Sequence, residues 1–397
     1  MRILRVIRSL HPDGGGPAEG IRRITQHLIQ LGVRTTVVSL DNPDSSFLAD
    51  QPFNVIALGP VYSGYGFRFG LIKLLSQLAS EHDVVIIHGL WQYHAVATWL
   101  ALRHLTKPYY IYAHGMLDPW FKERYPLKHL KKCIYWLFAD YHVLRDANKV
   151  LFTTSRECEL ARHSFFPYSV HEAVVGYGTS APPANTQYQL SVFYQHYPSL
   201  INKRIFLFLG RIHPKKGIDL LIKAFAQSAQ LDISLHLVIA GPDHVGLKLS
   251  LEKLALSLGI SDRITWTGML TDDIKWGAYR AAELFCLPSH QENFGIAVAE
   301  ALACSTPVMI SSSVNISSDV SSANAGLVHL PTCSATSEAL RSWLSLDDHV
   351  KSYMSSNAYR LFVSKYDYTS QAANLLNTLT NSACRHSIIS ADADALS

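Results

Sequence analysis

Charge is scarce in this 397-residue chain: Asp, Glu, Lys and Arg make up 17% of it, while apolar residues make up 48%. That balance excludes intrinsic disorder, coiled coil and collagen, and points to a core-forming globular protein. Cysteine is thin and unpaired. Cys133, Cys158, Cys286, Cys304, Cys333 and Cys384 show no CxxC spacing and no neighbouring histidine, so neither a zinc site nor a disulfide framework is expected, and a reducing cytoplasm fits. An internal Asp-x-Asp is missing, since Asp392 and Asp394 sit in an aperiodic tail, and no metal is expected. One stretch, Val84 to Leu102, runs nineteen residues without a charge, about the length that spans a bilayer. His88, Gly89, Gln92 and His94 interrupt it, and it reads as a buried strand, a polar turn and a helix. Arg2, Arg5 and Arg8 break the apolar run a signal peptide would need.

The net charge of +4 is too mild to call for a nucleic-acid partner, and it is unevenly spread. Residues 1–200 hold 19 Lys and Arg against 14 Asp and Glu, whereas 201–397 hold 16 against 17. The basic character lies in the amino-terminal half. At about 150 residues per domain the length predicts two domains. A strand over 2–8, a turn over 11–16, a helix carrying Ile21, Ile24, Leu28 and Leu31, and a strand over 35–40 form a βαβ unit, which implies a parallel sheet covered by helices. The alternation continues through strands at 84–87, 109–112, 149–153 and 173–175. Residues 179–203, with three prolines, break the rhythm and read as a linker. It restarts with strands at 204–209, 235–239, 264–267, 284–287 and 307–310 and helices at 218–229, 247–258, 274–281 and 296–303. The expected division is 1–180, a linker at 181–203, a second domain at 204–380, and a frayed tail at 383–397.

Two clusters in the second domain carry the chemistry. Gly210-Arg211-Ile212-His213-Pro214-Lys215-Lys216-Gly217 follows a strand and precedes a helix, the position where open α/β sheets bind ligands. Arg211 and Lys216 can converge on one anion, such as a diphosphate; a plain basic surface turn is the alternative. Glu292-Asn293-Phe294-Gly295 opens a second helix that carries Glu300. If both carboxylates lay on one helix, eight residues would separate them by about 12 Å, the reach from a sugar ring to a ribose. The alternative is a capping Glu292 and a helix-face Glu300.

The ordered set of a strand, GRxxPxKG, IAGP, a TG turn at Gly268, LPS, ENFG and a second Glu eight residues on resembles the carboxyl-terminal domain of the retaining group 1 glycosyltransferases, also called glycosyltransferase family 4. HGLWQY at 88–93, HGMLDPW at 114–120 and the lysines near 131 resemble its polysaccharide-building branch, so the likeness covers roughly 1–380. It implies the α/β GT-B fold, two Rossmann-like doubly wound domains facing a central cleft. It also implies a nucleoside-diphosphate sugar as co-substrate with no further cofactor, a glycan or lipid-linked hydroxyl acceptor, and a cytoplasmic enzyme. The implied roles place the donor diphosphate on Arg211 and Lys216, the donor sugar on Glu292 with Asn293, Phe294 and Gly295, and the ribose on Glu300. Gly15 and Gly16 would approach the donor phosphate, His114 the transferred sugar, and Asp118 and Trp120 the acceptor. A core-capping role for His114 stays open. Two departures stand out: Gly176-Tyr177-Gly178 replaces an NGV-type turn, and Ser305 takes a place often held by glycine.

Two other functions fit the same residues: a nucleotide-sugar epimerase of related architecture, and a non-catalytic nucleotide- or sugar-binding protein of the same fold. Finally, 120–149 holds seven Lys and Arg against three acids, interleaved with aromatics. It reads either as a peripheral membrane contact or as a solvated basic helix face.

Overall fold

The computed structural model describes residues 1–12, 16–61, 63–120, 122 and 126–394, with the backbone alone beyond residue 381. The chain divides into two compact units, Met1–Tyr177 together with Tyr368–Ser397, and Gly178–Asp367.

The first unit is built on seven parallel strands, β1 (Arg2–Ile7), β2 (Arg34–Ser39), β3 (Asn54–Ala57), β4 (Val84–His88), β5 (Tyr109–Tyr112), β6 (Lys149–Phe152) and β7 (Glu172–Val174), in the order β3-β2-β1-β4-β5-β6-β7. Central strands are rich in apolar residues because both faces are covered, with Arg5 in the middle of β1 as an exception. All five residues of β4 are buried, which is why 84–102 lacks charge: it is a strand, a turn and the helix Tyr93–Leu102. Among the described residues no helix is long and apolar enough to cross a membrane.

The second unit carries six parallel strands, β8 (Arg204–Leu209), β9 (Leu235–Ala240), β10 (Ile264–Gly268), β11 (Ala282–Leu287), β12 (Val308–Ser311) and β13 (Gly326–His329), in the order β10-β9-β8-β11-β12-β13. In each sheet the strand order reverses beside the first strand, between β1 and β4 and between β8 and β11. Loops leaving those strands at their carboxyl ends flank a ready-made crevice.

Three boundaries differ from the sequence reading. The expected linker at 181–203 is largely the helix Thr186–His196, which packs on the helix Asp272–Ala281 of the second unit. Gln189 and Phe193 are fully buried there, and the Gln189 amide bridges Asp273 at 3.1 Å and Arg280 at 2.7 Å. A Cβ on Gly277 would stand 2.2 Å from the Gln189 carbonyl, so glycine is what lets the two helices touch. The prolines bracket this helix rather than mark a flexible joint. The second domain also ends earlier than expected, because the helix Tyr368–Asp394 belongs to the first unit. Its Ala372, Leu375 and Leu379 fall at helical spacing and are buried with Ile3, Leu28, Val84 and Tyr110. Burying each leucine side chain contributes about 1.5–3 kcal/mol. The helix continues where a frayed tail is expected from 383, while the side chains there and residues 395–397 lie outside the described residues. Strands β3 and β13 and the helices Leu71–Ser80, Cys333–Ser345 and Asp348–Leu361 occupy stretches that the sequence reading leaves unassigned.

Candidate active site

In the second unit the two motif clusters come together. β8 delivers 210–217 and β11 delivers 288–295 as neighbouring loops. The His290 amide donates to the Lys215 carbonyl at 2.7 Å, and Lys215 Nζ donates to Gln291 Oε1 at 3.2 Å. Gly217 takes a left-handed φ of 64°, and a Cβ there would lie 2.2 Å from the Pro288 carbonyl, so only glycine allows this approach. Across the junction Lys216 Nζ forms an ion pair with Glu292 Oε2, both side chains being 18% exposed. Arg211 is exposed on the same loop and takes no partner among the described residues. Its charge, with those of Lys215 and Lys216, joins partial burial in pushing the His213 imidazole to a lower pKa. Neutral His213 accepts the Lys215 amide on Nδ1 at 3.2 Å. The result is a half-buried site with net positive charge at a sheet switch point.

Glu292 lies outside the following helix, which corrects the expectation of two carboxylates on one helix. Gly295, with φ 78°, turns the chain, and the helix spans Ile296–Ala303. Glu292 instead pairs with a neighbouring loop: its amide donates to the Ser313 carbonyl and its carbonyl accepts from the Asn315 amide, both at 3.1 Å. Asn293 accepts from Asn315 Nδ2 at 3.1 Å. Phe294 is buried and meets Tyr366 edge-on, so its ring anchors the loop. In the helix's first turn the Val298 amide donates to the Gly295 carbonyl at 2.8 Å, and the amides of Ile296 and Ala297 ahead of it have no intrahelical acceptors. Glu300 is on the helix and buried, with Lys275 Nζ at 2.8 Å and the Tyr279 hydroxyl at 2.9 Å. Burial beside that carboxylate holds the Tyr279 hydroxyl far above its ordinary pKa, so it stays a donor. Gly268 ends β10 with φ 70°, and its carbonyl accepts the Gly241 amide at 2.7 Å.

In the first unit the loops after β1, β4 and β5 form the corresponding place. Gly15 lies outside the described residues; Gly16 begins the helix Gly16–Gln30, and its carbonyl accepts the Tyr177 hydroxyl. A Cβ on Gly20 would collide with that hydroxyl, so the Gly-Tyr-Gly departure is accommodated by a glycine one helical turn on. His114 follows β5 with φ 49°, a strained value for a side chain with a Cβ, and Gly115 follows at 71°. The pair is locked by buried Glu157, which accepts the Gly115 amide at 2.6 Å on one oxygen and the Thr153 amide at 2.7 Å on the other. Asp118 accepts the amide of Trp120 at 2.9 Å, which shapes the loop from within. His88 Nδ1 lies 3.0 Å from His114 Nε2. The loop after β4 is fixed by Trp91 N donating to buried Asp140 at 2.8 Å and by His94 Nε2 on the His88 carbonyl at 2.9 Å. Burial pushes the Asp140 carboxyl up to about 7. Sequence reasoning missed Glu157, Asp140, Lys275 and Tyr279, whose contacts with Gly115, Trp91 and Glu300 reach across 21 to 49 residues. Among the described residues no cluster of His, Cys, Asp or Glu has the makings of a metal site.

Comparisons with known proteins agree in both halves. Residues 196–361 match the family described as glycosyl transferases group 1, and residues 15–178 match the glycosyl transferase 4-like domain. The D-inositol 3-phosphate glycosyltransferase of Mycolicibacterium smegmatis is 39% identical over 110 residues, covering 27% of this chain and 25% of that protein. The enzyme of the same description from Salinispora tropica is 42% identical over 109 residues, covering 26% and 23%. The aligned stretch thus spans about a quarter of the length of these relatives. Among solved structures, Anabaena Alr3699/HepE in complex with UDP superposes with a TM-score of 0.76 at 19% identity, over 96% of this chain and all of that one. WaaG, described as a glycosyltransferase involved in lipopolysaccharide biosynthesis, superposes with a TM-score of 0.69 at 16% identity, over 95% and 99%. The fold is the α/β GT-B fold, with two Rossmann-like units.

Proposed function

Because the chain belongs to the group 1 glycosyltransferases, we propose that it transfers the sugar of a nucleoside-diphosphate sugar to a hydroxyl of a glycan or lipid-linked saccharide, with retention of anomeric configuration and without a divalent metal. The observation that carries this reading is the junction of the loops after β8 and β11, where Lys216 pairs with Glu292 ahead of the amino end of a helix and Arg211 stands exposed on the same loop as Lys216. An incoming diphosphate competes with Glu292 for Lys216. The carboxylate so released accepts sugar hydroxyls, and Glu300, oriented by Lys275 and Tyr279, accepts from the ribose. As the bond from the anomeric carbon to the phosphate oxygen breaks, Arg211, Lys216 and the helix amides neutralise the charge left on the diphosphate. On the same face the acceptor oxygen bonds to the anomeric carbon, and its proton passes to the departing phosphate. His114 meets the transferred sugar, while Asp118 and Trp120 belong to the acceptor side.

The acceptor-side unit carries a feature that supports work at a lipid surface. The helix Pro126–Tyr135 buries none of its side chains, and Leu127, Leu130, Ile134 and Phe138 follow one another at helical spacing in the open, Leu127 at 84% and Phe138 at 80% exposure. Lys128, Lys131 and Lys132 flank them, with no acid between 126 and 139. This pattern suits a helix lying in the interface of an anionic bilayer, and a cytoplasmic enzyme peripheral to the inner membrane face.

A panel of nucleotide sugars scored for thermal stabilisation, then for nucleoside-diphosphate release with and without acceptor, tests the reading. UDP-glucose comes first, since Alr3699/HepE has been solved with it. Selective stabilisation by one donor and its diphosphate, with turnover that survives EDTA, is expected. No stabilisation by any member overturns the donor site; abolition by EDTA with rescue by magnesium overturns metal independence. Release of an epimerised free sugar without acceptor would favour an epimerase. Binding to anionic vesicles at low salt, lost at high salt, is expected of the exposed helix.

A further inference from the structure

The first unit buries a guanidinium that forms no ion pair among the described residues. Arg5 lies in the middle of β1 and is 1% exposed, on the sheet face that Ile3 shares with the helix Tyr368–Asp394. Its Nη1 stands 3.0 Å from His88 Nε2, while Nε and Nη2 have no hydrogen-bond partner. His88 in turn reaches His114 Nε2 through Nδ1, at 3.0 Å. The rings of His88, Tyr112 and His114 lie nearly parallel, with centroids 5.2–5.3 Å apart. Other groups facing this cluster are His94, which holds the His88 carbonyl, Tyr177 beside Arg5, and Glu157, which takes the amide next to His114.

Proton bookkeeping along this row has one solution. A guanidinium carries five N–H donors and no acceptor, so His88 Nε2 must accept. The His88 proton is then on Nδ1 and is donated to His114 Nε2, which leaves the His114 proton on Nδ1. His94 faces a carbonyl with Nε2, so its proton is there and its Nδ1 is bare. An imidazolium at His88 would set an N–H against the guanidinium. Burial and the Arg5 charge act in the same sense: they hold His88 well below its ordinary pKa and His114 down to about 3.

We propose that Arg5, acting through His88, is a positioning residue that locks His114 as a neutral imidazole with its proton on Nδ1, ready to donate from that atom to an oxygen of the transferred sugar. The sugar contact rests on the function proposed above; the tautomer lock does not. A neutral donor suits that place because the anomeric carbon becomes electron-poor as its bond to the diphosphate breaks, and an imidazolium there would oppose it.

Long-range ¹H–¹⁵N spectra of histidine-labelled full-length protein, with His114 assigned by difference from His114→Gln, test the lock without altering Arg5. His114 is expected as the Nδ1–H tautomer and without titration from about pH 8 down to about pH 5. An Nε2–H tautomer, or a midpoint near 6.5, overturns the proposal. Arg5→Met should release the lock, so that His114 shows mixed tautomers and a raised midpoint, and kcat falls at least about threefold while nucleoside-diphosphate affinity stays within about twofold. Arg5→Lys, which restores a buried donor, should recover the tautomer and most of kcat. Locked spectra together with full turnover in His114→Gln would leave the relay standing and overturn the sugar contact.

Discussion

The loops at the switch point of the second sheet carry Arg211, Lys215, Lys216 and Glu292 at exposed or half-buried positions, whereas those of the first sheet surround a row in which buried Arg5 and His88 lead to half-buried His114. The same topological crevice is furnished for two different tasks. Partly exposed ions can exchange partners at smaller cost than buried ones, which suits the proposed passage of Lys216 from Glu292 to a phosphate and back. The proposed row of neutral imidazoles exchanges nothing: its geometry is set by hydrogen bonds and stacking, and its value lies in donors that stay put. Under the function proposed above, one site serves a charged group that comes and goes and the other a reacting group that must be met at a fixed angle.

The sharpest way to break this contrast is to remove the exchangeable charges. Lys216→Ala and Arg211→Ala should each lower nucleoside-diphosphate affinity at least tenfold, since charge-assisted contacts contribute about 1.5–3 kcal/mol. Titration calorimetry reads the effect, and unchanged affinity in both variants would show that the second crevice is not the phosphate site.

His114→Ala should do the opposite. Transfer should fall about tenfold or more, with nucleoside-diphosphate affinity held within about a factor of three, as expected of a contact made as the sugar departs. A melt measured alongside separates this from a core histidine, whose loss would lower stability and both activities together.

The third prediction concerns acid. His94 is held down to about 4 and His114 to about 3, mainly by burial. Below about pH 6.5 the unfolded chain therefore binds protons that the folded one refuses, and stability falls as pH drops. Asp140, raised to about 7, acts in the opposite sense, since the folded state takes its proton first. His94→Gln keeps a donor for the His88 carbonyl and cannot titrate. It should remove about 1.5 kcal/mol of the loss between pH 6.5 and 5; denaturant titrations at the two pH values measure it, and an undiminished loss would mean that His94 is not held neutral.

The smallest effect is local. Ser305 adopts φ 60°, the left-handed region where a Cβ is disfavoured. Ser305→Gly relieves that strain against a loss of chain entropy, a net gain of about 0.5 kcal/mol and a rise of about 1 °C in Tm. A fall would mean that the serine side chain is the more valuable part.

How much of this could be read in the sequence follows the same division. Strands β8 and β11 and the helices after them were legible because motif, strand and helix lie within a few residues of one another. Arg204–Leu209, Ile218–Ala229 and Ile296–Ala303 match the periodicity residue for residue. The departure at Ser305 was legible too, and the left-handed φ explains why glycine suits that place. The partners were not legible. Lys216 and Glu292 are 76 residues apart, Arg5 and His88 are 83 apart, and no local pattern records which distant side chain meets which. The helix Thr186–His196 was hidden for a different reason: its buried face is anchored by Gln189 and an arginine of another helix, so it lacks the apolar stripe by which helices are recognised.

The helix Tyr368–Asp394 bears on the order in which the chain acquires its structure during synthesis. Residues 1–177 leave the ribosome first, but one face of their sheet, covered in part by the helix Gly16–Gln30, stays incompletely covered until Ala372, Leu375 and Leu379 arrive some two hundred residues later. The unit from Gly178 to Asp367 has all its strands by then. The half of the protein that is translated second is therefore the first able to finish folding, which reverses the usual amino-to-carboxyl succession of domains. A released chain ending at residue 367 would hold every element of the second unit and lack a helix of the first.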